Sequence, residues 1–265
     1  MTRSVEPQIT LSEEDGVRYL HFGSEWIQGA MRIARPFDIE IDYVQQMMIW
    51  LLFVEPPAEL LQLGVGAAAL TKFCHRHCAR TRITAVELSA RVIDAARRWF
   101  KMPANDLRLD VVEADAGEFV ARATSRRRFG VIQIDLYDQH ARGPVLDSLP
   151  FYQRCRRALH EPGVLVANLF GEPDSFERNI HHLRLAFDGR VLITPPVAAG
   201  NRVAIAFAGP PLAIAWPEVA ERAAAVERRY RLPASTWVEM LRRSDPAGPR
   251  RDRSGHSAWA GHLVV

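Results

Sequence analysis

The sequence predicts an α/β protein built on a mostly parallel sheet, and three observations lead there. From residue 59 to about 208, short continuous apolar runs alternate with helical segments. Several of these runs end at a glycine or an acid, namely Gly64, Glu87, Asp115 and Asp135. The last two runs, at 191–193 and 203–207, are joined by a link too short for a helical crossover. Continuous apolar runs belong to strands covered on both faces, as in a parallel sheet. The short link requires the final strand to pair antiparallel, as the sheet's closing edge.

Each element has its own signal. Residues 17–42 alternate in brief stretches broken by Gly16, Gly23 and Gly29, which predicts a small β meander. Residues 43–54 lose the alternation and read as a helix that becomes buried, and Glu55-Pro56-Pro57 ends it. Strands follow at 60–63, 83–86, 109–112, 131–134 and 164–166. Between them lie helices at 67–76, after Ser89, after Asp115, and at 151–159; another spans 174–187. Ser89 suits a helix N-cap, since Val92, Ile93, Ala96, Trp99 and Phe100 then fall on one face. Two further helices are predicted at 217–230 and 234–243, before a mobile tail rich in Arg, Pro and Gly. The chain thus divides into a β meander with its linking helix (1–50), a Rossmann-like main unit (51–209) and a helical extension with a basic tail (210–265). The meander is too small to stand alone and must pack on the main unit or on a partner subunit.

Composition narrows the function. With 265 residues, 48% hydrophobic and 25% charged, the chain is neither collagenous, disordered nor a disulfide scaffold. Its longest apolar run, residues 47–54, is too short to span a bilayer, so no membrane association is expected. The N-terminal sixteen residues lack the apolar stretch of a signal peptide, and three sparse cysteines fit reduced thiols; both point to the cytoplasm. The net charge of +3 invites a nucleic-acid reading. Residues 242–253, however, hold five Arg and two Asp, so the tail carries the whole excess and the remaining body is neutral. No basic cluster is interleaved with stacking aromatics, and no nucleic-acid partner is expected. In Cys74-His75-Arg76-His77-Cys78 the two thiols share one helix face while the histidines point elsewhere. Packed thiols rather than a metal follow from that spacing.

The chemistry should sit beyond the carboxyl ends of the strands, where the strand order reverses. Gly64 and Gly66 end the first strand of the main unit and let the backbone approach a ligand. Glu87, at the next strand end, can accept both hydroxyls of a ribose, and Asp115 with Ala116 suits an adenine amino group. Any one such acid is more often a helix cap, but their succession at strand ends implies an adenosine derivative. The absence of a P-loop argues against ATP.

From Ile134 the chain reads I-D-L-Y-D, then G-P-V-L at 143–146, F-Y at 151–152 and P-G-V-L-V-A-N at 162–168. This order resembles the spermidine synthase (polyamine aminopropyltransferase) family, within the class I S-adenosylmethionine-binding, methyltransferase-type fold. Gln28, in I-Q-G-A-M, is similar to the glutamine of that family's N-terminal β domain, and Tyr43 falls near its Tyr-His-Glu segment. The resemblance implies a seven-stranded, mostly parallel sheet and a homodimer. It implies decarboxylated S-adenosylmethionine, or S-adenosylmethionine itself, as co-substrate and a small cationic amine as acceptor, with no metal. Gln28, Gly64, Gly66, Glu87, Asp115 and Ala116 would then hold the donor, and Asp135 would take the proton of the attacking amine or orient it. Asp138 and Tyr43 would face the acceptor.

The departures from the family pattern are specific. The family's Gly-Gly-Gly-Asp-Gly-Gly loop becomes Gly64-Val65-Gly66-Ala67-Ala68-Ala69, without the acid that contacts the donor's amine. Tyr-His-Glu becomes Tyr43-Val44-Gln45, and residues 194–202 supply no tyrosine for the acceptor groove. Three functions stand open at this point: aminopropyl transfer, methyl transfer on the same fold, and binding without turnover.

Overall fold

The computed structural model describes residues 7–122, 127–137, 146–244, 250–251, 257–258 and 261–265. Strands β1 (Ile9–Glu14), β2 (Val17–Phe22) and β3 (Gly29–Arg32) form an antiparallel meander. It begins earlier than the apolar alternation indicates and is over by Arg32. All of β1 beyond Ile9 is solvent-exposed, so ladder hydrogen bonds rather than a buried face hold it, and such a strand leaves no periodic trace. After Arg32 the chain turns through Arg35 and Asp38, with Arg32 paired to Glu40. Leu20 and Met31 bury the inner face of the meander against Ala67 and Phe100, and Arg18 Nη1 donates to the Trp99 carbonyl at 2.6 Å. Packing on the main unit therefore supplies the support that so small a sheet needs.

The expected single helix over 43–54 is instead α1 (Asp42–Gln46) followed by a 3-10 turn at Ile49–Leu52. Residues 46–53 are all buried, and two of their carbonyls find side-chain partners. Gln133 Nε2 donates to Met47 O at 3.0 Å and Arg222 Nε to Leu51 O at 2.9 Å, so the backbone can leave the α-helical pattern without orphaned acceptors.

The main unit runs β4 (Glu59–Leu63), α2 (Ala69–His77), β5 (Arg82–Glu87), α3 (Ala90–Trp99), β6 (Leu109–Glu113), α4 (Ala116–Ala121) and β7 (Phe129–Ile134). It continues with α5 (Leu149–Ala158), β8 (Leu159–Leu169), α6 (Pro173–Ala186), β9 (Val191–Ile193) and β10 (Arg202–Ala208). Ser89 caps α3, its hydroxyl accepting from Val92 N. The sheet order is β6-β5-β4-β7-β8-β10-β9. The five strands from β6 to β8 are parallel, and β10 pairs antiparallel with both β8 and β9. The antiparallel strand is thus not the edge: β10 inserts between its neighbours and the short β9 takes the outside. Strand neighbours divide between two cores. Leu60, Val131, Val164 and Val203 face the 44–53 segment and the C-terminal helices, whereas Leu61, Ile132, Leu165 and Ala204 face α4–α6. That two-sided burial is why the strands read as continuous apolar runs.

After β10 come β11 (Ala213–Ala215), α7 (Trp216–Tyr230) and α8 (Ala234–Ser244), then the two-residue strands β12 (Arg250–Arg251) and β13 (Ser257–Ala258), and β14 (His262–Val264). The expectation of a mobile tail fails for residues 262–264: β14 pairs with β11 and buries Leu263. Trp50, Trp216 and Trp237 are core residues, while Trp26 and Trp99 are about half exposed and Trp259 lies outside the described residues.

Gly64 is the most tightly enclosed of the described glycines. Its φ is +93°, and a Cβ there would lie 2.0 Å from the Asp135 carbonyl oxygen. Gly64→Ala should cost about 2–4 kcal/mol in urea unfolding, from left-handed strain and overpacking together. Gly16→Ala, also at positive φ but with open space around it, should cost only about 1 kcal/mol.

Candidate active site

The strand order reverses between β4 and β7, and a cavity of about 940 Å³ opens there beyond the strands' carboxyl ends. Its floor is assembled by the loop after β4. Gly64 N donates to Val86 O and Asp135 N to Leu63 O, each at 2.8 Å, which ties three strand ends together. Gly66, also at positive φ, brings the loop under the Gln28 carbonyl, 3.2 Å from where its Cβ would be. The loop closes on Ala68, a left-handed residue that enters α2 without a side-chain cap.

Glu87 stands at the end of β5 against this loop. Its Oε2 accepts from Val65 N at 3.0 Å and its Oε1 from Ser89 N at 3.1 Å. Burial pushes its carboxyl up while the surrounding amides oppose the shift. The amides of Leu88 and Gly66 act on the same carboxylate, which also lines the cavity. Asp115 is both an N-cap and a cavity residue: its Oδ1 accepts from Glu118 N at 2.8 Å, and Ala116 follows, buried, in the first turn of α4. The exposed Leu88 and the half-buried Leu146 add apolar walls.

Asp135 closes the floor just beyond β7. Burial raises its carboxyl from the ordinary 3.8 to about 6, against the pull of Asn168, whose Nδ2 donates to Oδ1 at 3.0 Å. Tyr43, from α1, reaches the same cavity, and burial followed by the Asp135 charge pushes its phenol well up. Tyr137 is shifted the same way, and its hydroxyl donates to Asn168 O at 2.9 Å. Over the mouth, Trp26 and Phe170 meet edge-to-face at 6.2 Å, joining the meander loop to the end of β8.

Gln28, Tyr43, Gly64, Gly66, Glu87, Asp115, Ala116 and Asp135 therefore line one cavity, although they come from six separate segments. Asp138 lies outside the described residues. Sequence reasoning passed over Asn168, Asn201, Trp26 and Phe170, which line it too. A polar residue ending the apolar run of β8 was the one visible sign of Asn168. Among the described residues no Arg, Lys or His lines the cavity. Cys74 and Cys78 are buried thiols in the core, and no group of three metal-ligating side chains occurs among the described residues. No helix there is long and apolar enough to cross a membrane.

A seven-stranded, methyltransferase-type sheet with an acid-lined cavity at its switch point defines the class. Residues 43–182 match the model of the spermine/spermidine synthase domain. The chain is 31% identical over 241 residues to a polyamine aminopropyltransferase of Neisseria meningitidis, covering 91% of each chain. It is 30% identical to one of Chromobacterium violaceum, covering 98% of this chain and 94% of that one. A solved structure of a probable spermidine synthase from Corynebacterium glutamicum superposes with a TM-score of 0.68 at 18% identity, covering 92% of each chain. The chain belongs to the spermine/spermidine synthase family.

The raised carboxyl of Asp135 links stability to pH. A group whose folded value lies above its unfolded one stabilises the fold below the unfolded value and loses that contribution as pH rises through the folded one. Relative to Asp135→Asn, the wild type should lose stability between about pH 4 and pH 6, with a constant difference above about pH 7. Paired urea titrations across pH 3.5–8 check this; parallel pH profiles would refute it.

Proposed function

We propose that the protein is an aminopropyltransferase that takes decarboxylated S-adenosylmethionine as donor and a small polyamine-like amine as acceptor. The observation that carries the reading is the set Glu87, Asp115 and Asp135, at successive ends of β5, β6 and β7, facing one cavity without a cation in its described lining. A sulfonium donor and a protonated amine both favour such a site.

In this reading Glu87 accepts the ribose hydroxyls, and Asp115 with Ala116 takes the adenine edge between Leu88 and Leu146. Gln28 and the Gly64–Gly66 backbone complete the nucleoside site. Ala67, where the family carries an acid, is buried beneath Gly29, whose Cβ would lie 2.5 Å from that of Ala67. Ala67 lines the cavity but offers it only a methyl group, so the donor's amine must be held elsewhere.

The acceptor nitrogen attacks the carbon next to the sulfonium; a C–N bond forms, the C–S bond breaks, and a neutral thioether leaves. The nitrogen sheds one proton, and in this reading Asp135 receives it. Its value near 6 keeps it ionised at neutral pH while making it a better base than an ordinary aspartate. Tyr43 and, from the sequence pattern, Asp138 orient the acceptor. Most of the acceleration comes from alignment of nitrogen, carbon and sulfur, a task that can contribute on the order of 7–11 kcal/mol.

Calorimetry with decarboxylated S-adenosylmethionine, S-adenosylmethionine and methylthioadenosine should show binding of the first and third. Asp135→Asn should then lower transfer to putrescine or spermidine at least about hundredfold. Its affinity for methylthioadenosine should change by less than about threefold. Preference for the intact donor with methylated product would replace this reading by methyl transfer.

A further inference from the structure

Asp135 is held by a relay that ends in a residue with no role so far. Asn168 Nδ2 donates to Asp135 Oδ1 at 3.0 Å, and Asn201 Nδ2 donates to Asn168 Oδ1 at 3.0 Å. Asn201 immediately precedes β10, the strand that pairs with β8, and both Asn201 and Asn168 are buried. We propose that Asn201 is a positioning residue that locks the Asn168 carboxamide with its N–H toward Asp135.

The physical reason is the symmetry of a carboxamide. Its oxygen and nitrogen ends have nearly the same shape, so only the partners decide which end faces the carboxylate. A donor on the far side fixes the oxygen there and the nitrogen on Asp135. Without that donor, Asn168 Oδ1 is a buried acceptor with no partner, which costs about 1–3 kcal/mol. Rotation would turn it toward Asp135, where two acceptors can meet only if the carboxyl carries a proton. Among the described residues no other side chain donates to the Asn168 carboxamide oxygen. The other titratable groups facing Asp135 are the phenols of Tyr43 on α1 and Tyr137 beyond β7. Glu25, in the meander loop, and Glu87 and Asp115, at the ends of β5 and β6, line the same cavity, and no described cation does. Tyr137 holds the Asn168 backbone carbonyl, not its side chain.

The test is the titration of Asp135 in the full chain, followed by carboxyl-carbon NMR with Asp135→Asn to assign the signal. Asn201→Leu keeps the shape and removes the donor, and it should raise the midpoint by about one pH unit. Asn201→Gln, which retains a donor, should return it toward the wild-type value. Because Asn201 acts through Asn168, adding Asn201→Leu to Asn168→Leu should leave the midpoint of the latter unchanged. A folded Asn201→Leu with a midpoint within about 0.3 pH unit of wild type would overturn the assignment. If that variant does not fold, the smaller Asn201→Ala is titrated in its place, where a raised midpoint supports the relay and an unchanged one refutes it. The acid limb of kcat/KM should move with the NMR midpoint. That second readout rests on the role proposed for Asp135, whereas the titration does not, so the two failures are distinguishable.

Discussion

The site depends on one close approach, that of the Asp135 carbonyl to the bare Cα of Gly64. A Cβ at that point would overlap the oxygen, so the ends of β4 and β7 can come together only over a glycine. Once they do, the rest of the floor follows. The chain leaves β4 in a left-handed turn, the Val65 amide points at Glu87, and Gly66 passes beneath the Gln28 carbonyl. The same contact sets the depth of Asp135, and its depth sets its basicity: burial, rather than a charged neighbour, is the main cause of the raised value.

A second constraint fixes the wall opposite. Between the sheet and the 44–53 segment lies a buried polar chain, in which Thr71 Oγ1 donates to Gln62 Oε1 and Gln62 Nε2 to Gln133 Oε1. Gln133 Nε2 passes the chain on to the Met47 carbonyl. Thr194 Oγ1 then donates to Gln46 Oε1, and Gln45 Nε2 to Ile39 O. Each bond is worth little alone, but a buried partner left unpaired is expensive, so the segment has one register. That register delivers Tyr43 to the cavity.

The charges sort by place. Arginine is abundant, yet many of its ion pairs lie at the surface, such as Arg98 with Asp94 and Arg178 with Asp147, where solvent leaves them little energetic weight. The cavity instead concentrates carboxyls whose hydrogen bonds come from backbone amides and carboxamides. Such donors orient a carboxylate without cancelling its charge, which leaves the field available to a cationic ligand.

By itself the sequence determined the strand-and-helix rhythm, the two-sided burial of the parallel strands, the acids at strand ends and the family likeness, because all of these are written in local periodicity and spacing. Residues Gly64, Glu87, Asp115 and Asp135 could be read as site candidates for that reason. The exposed strand β1 and the break between α1 and the 3-10 turn left no such trace, since a ladder and distant side chains hold them. The insertion of β10 between β8 and β9 and the return of β14 onto β11 likewise depend on pairings remote in the chain. Only the tertiary structure decided that Asn201 stands behind Asn168 and Asn168 behind Asp135, and that Gly29 packs on Ala67. Those contacts join segments dozens of residues apart, where the direction of one carboxamide, and not the pattern of any one segment, tunes a carboxyl group.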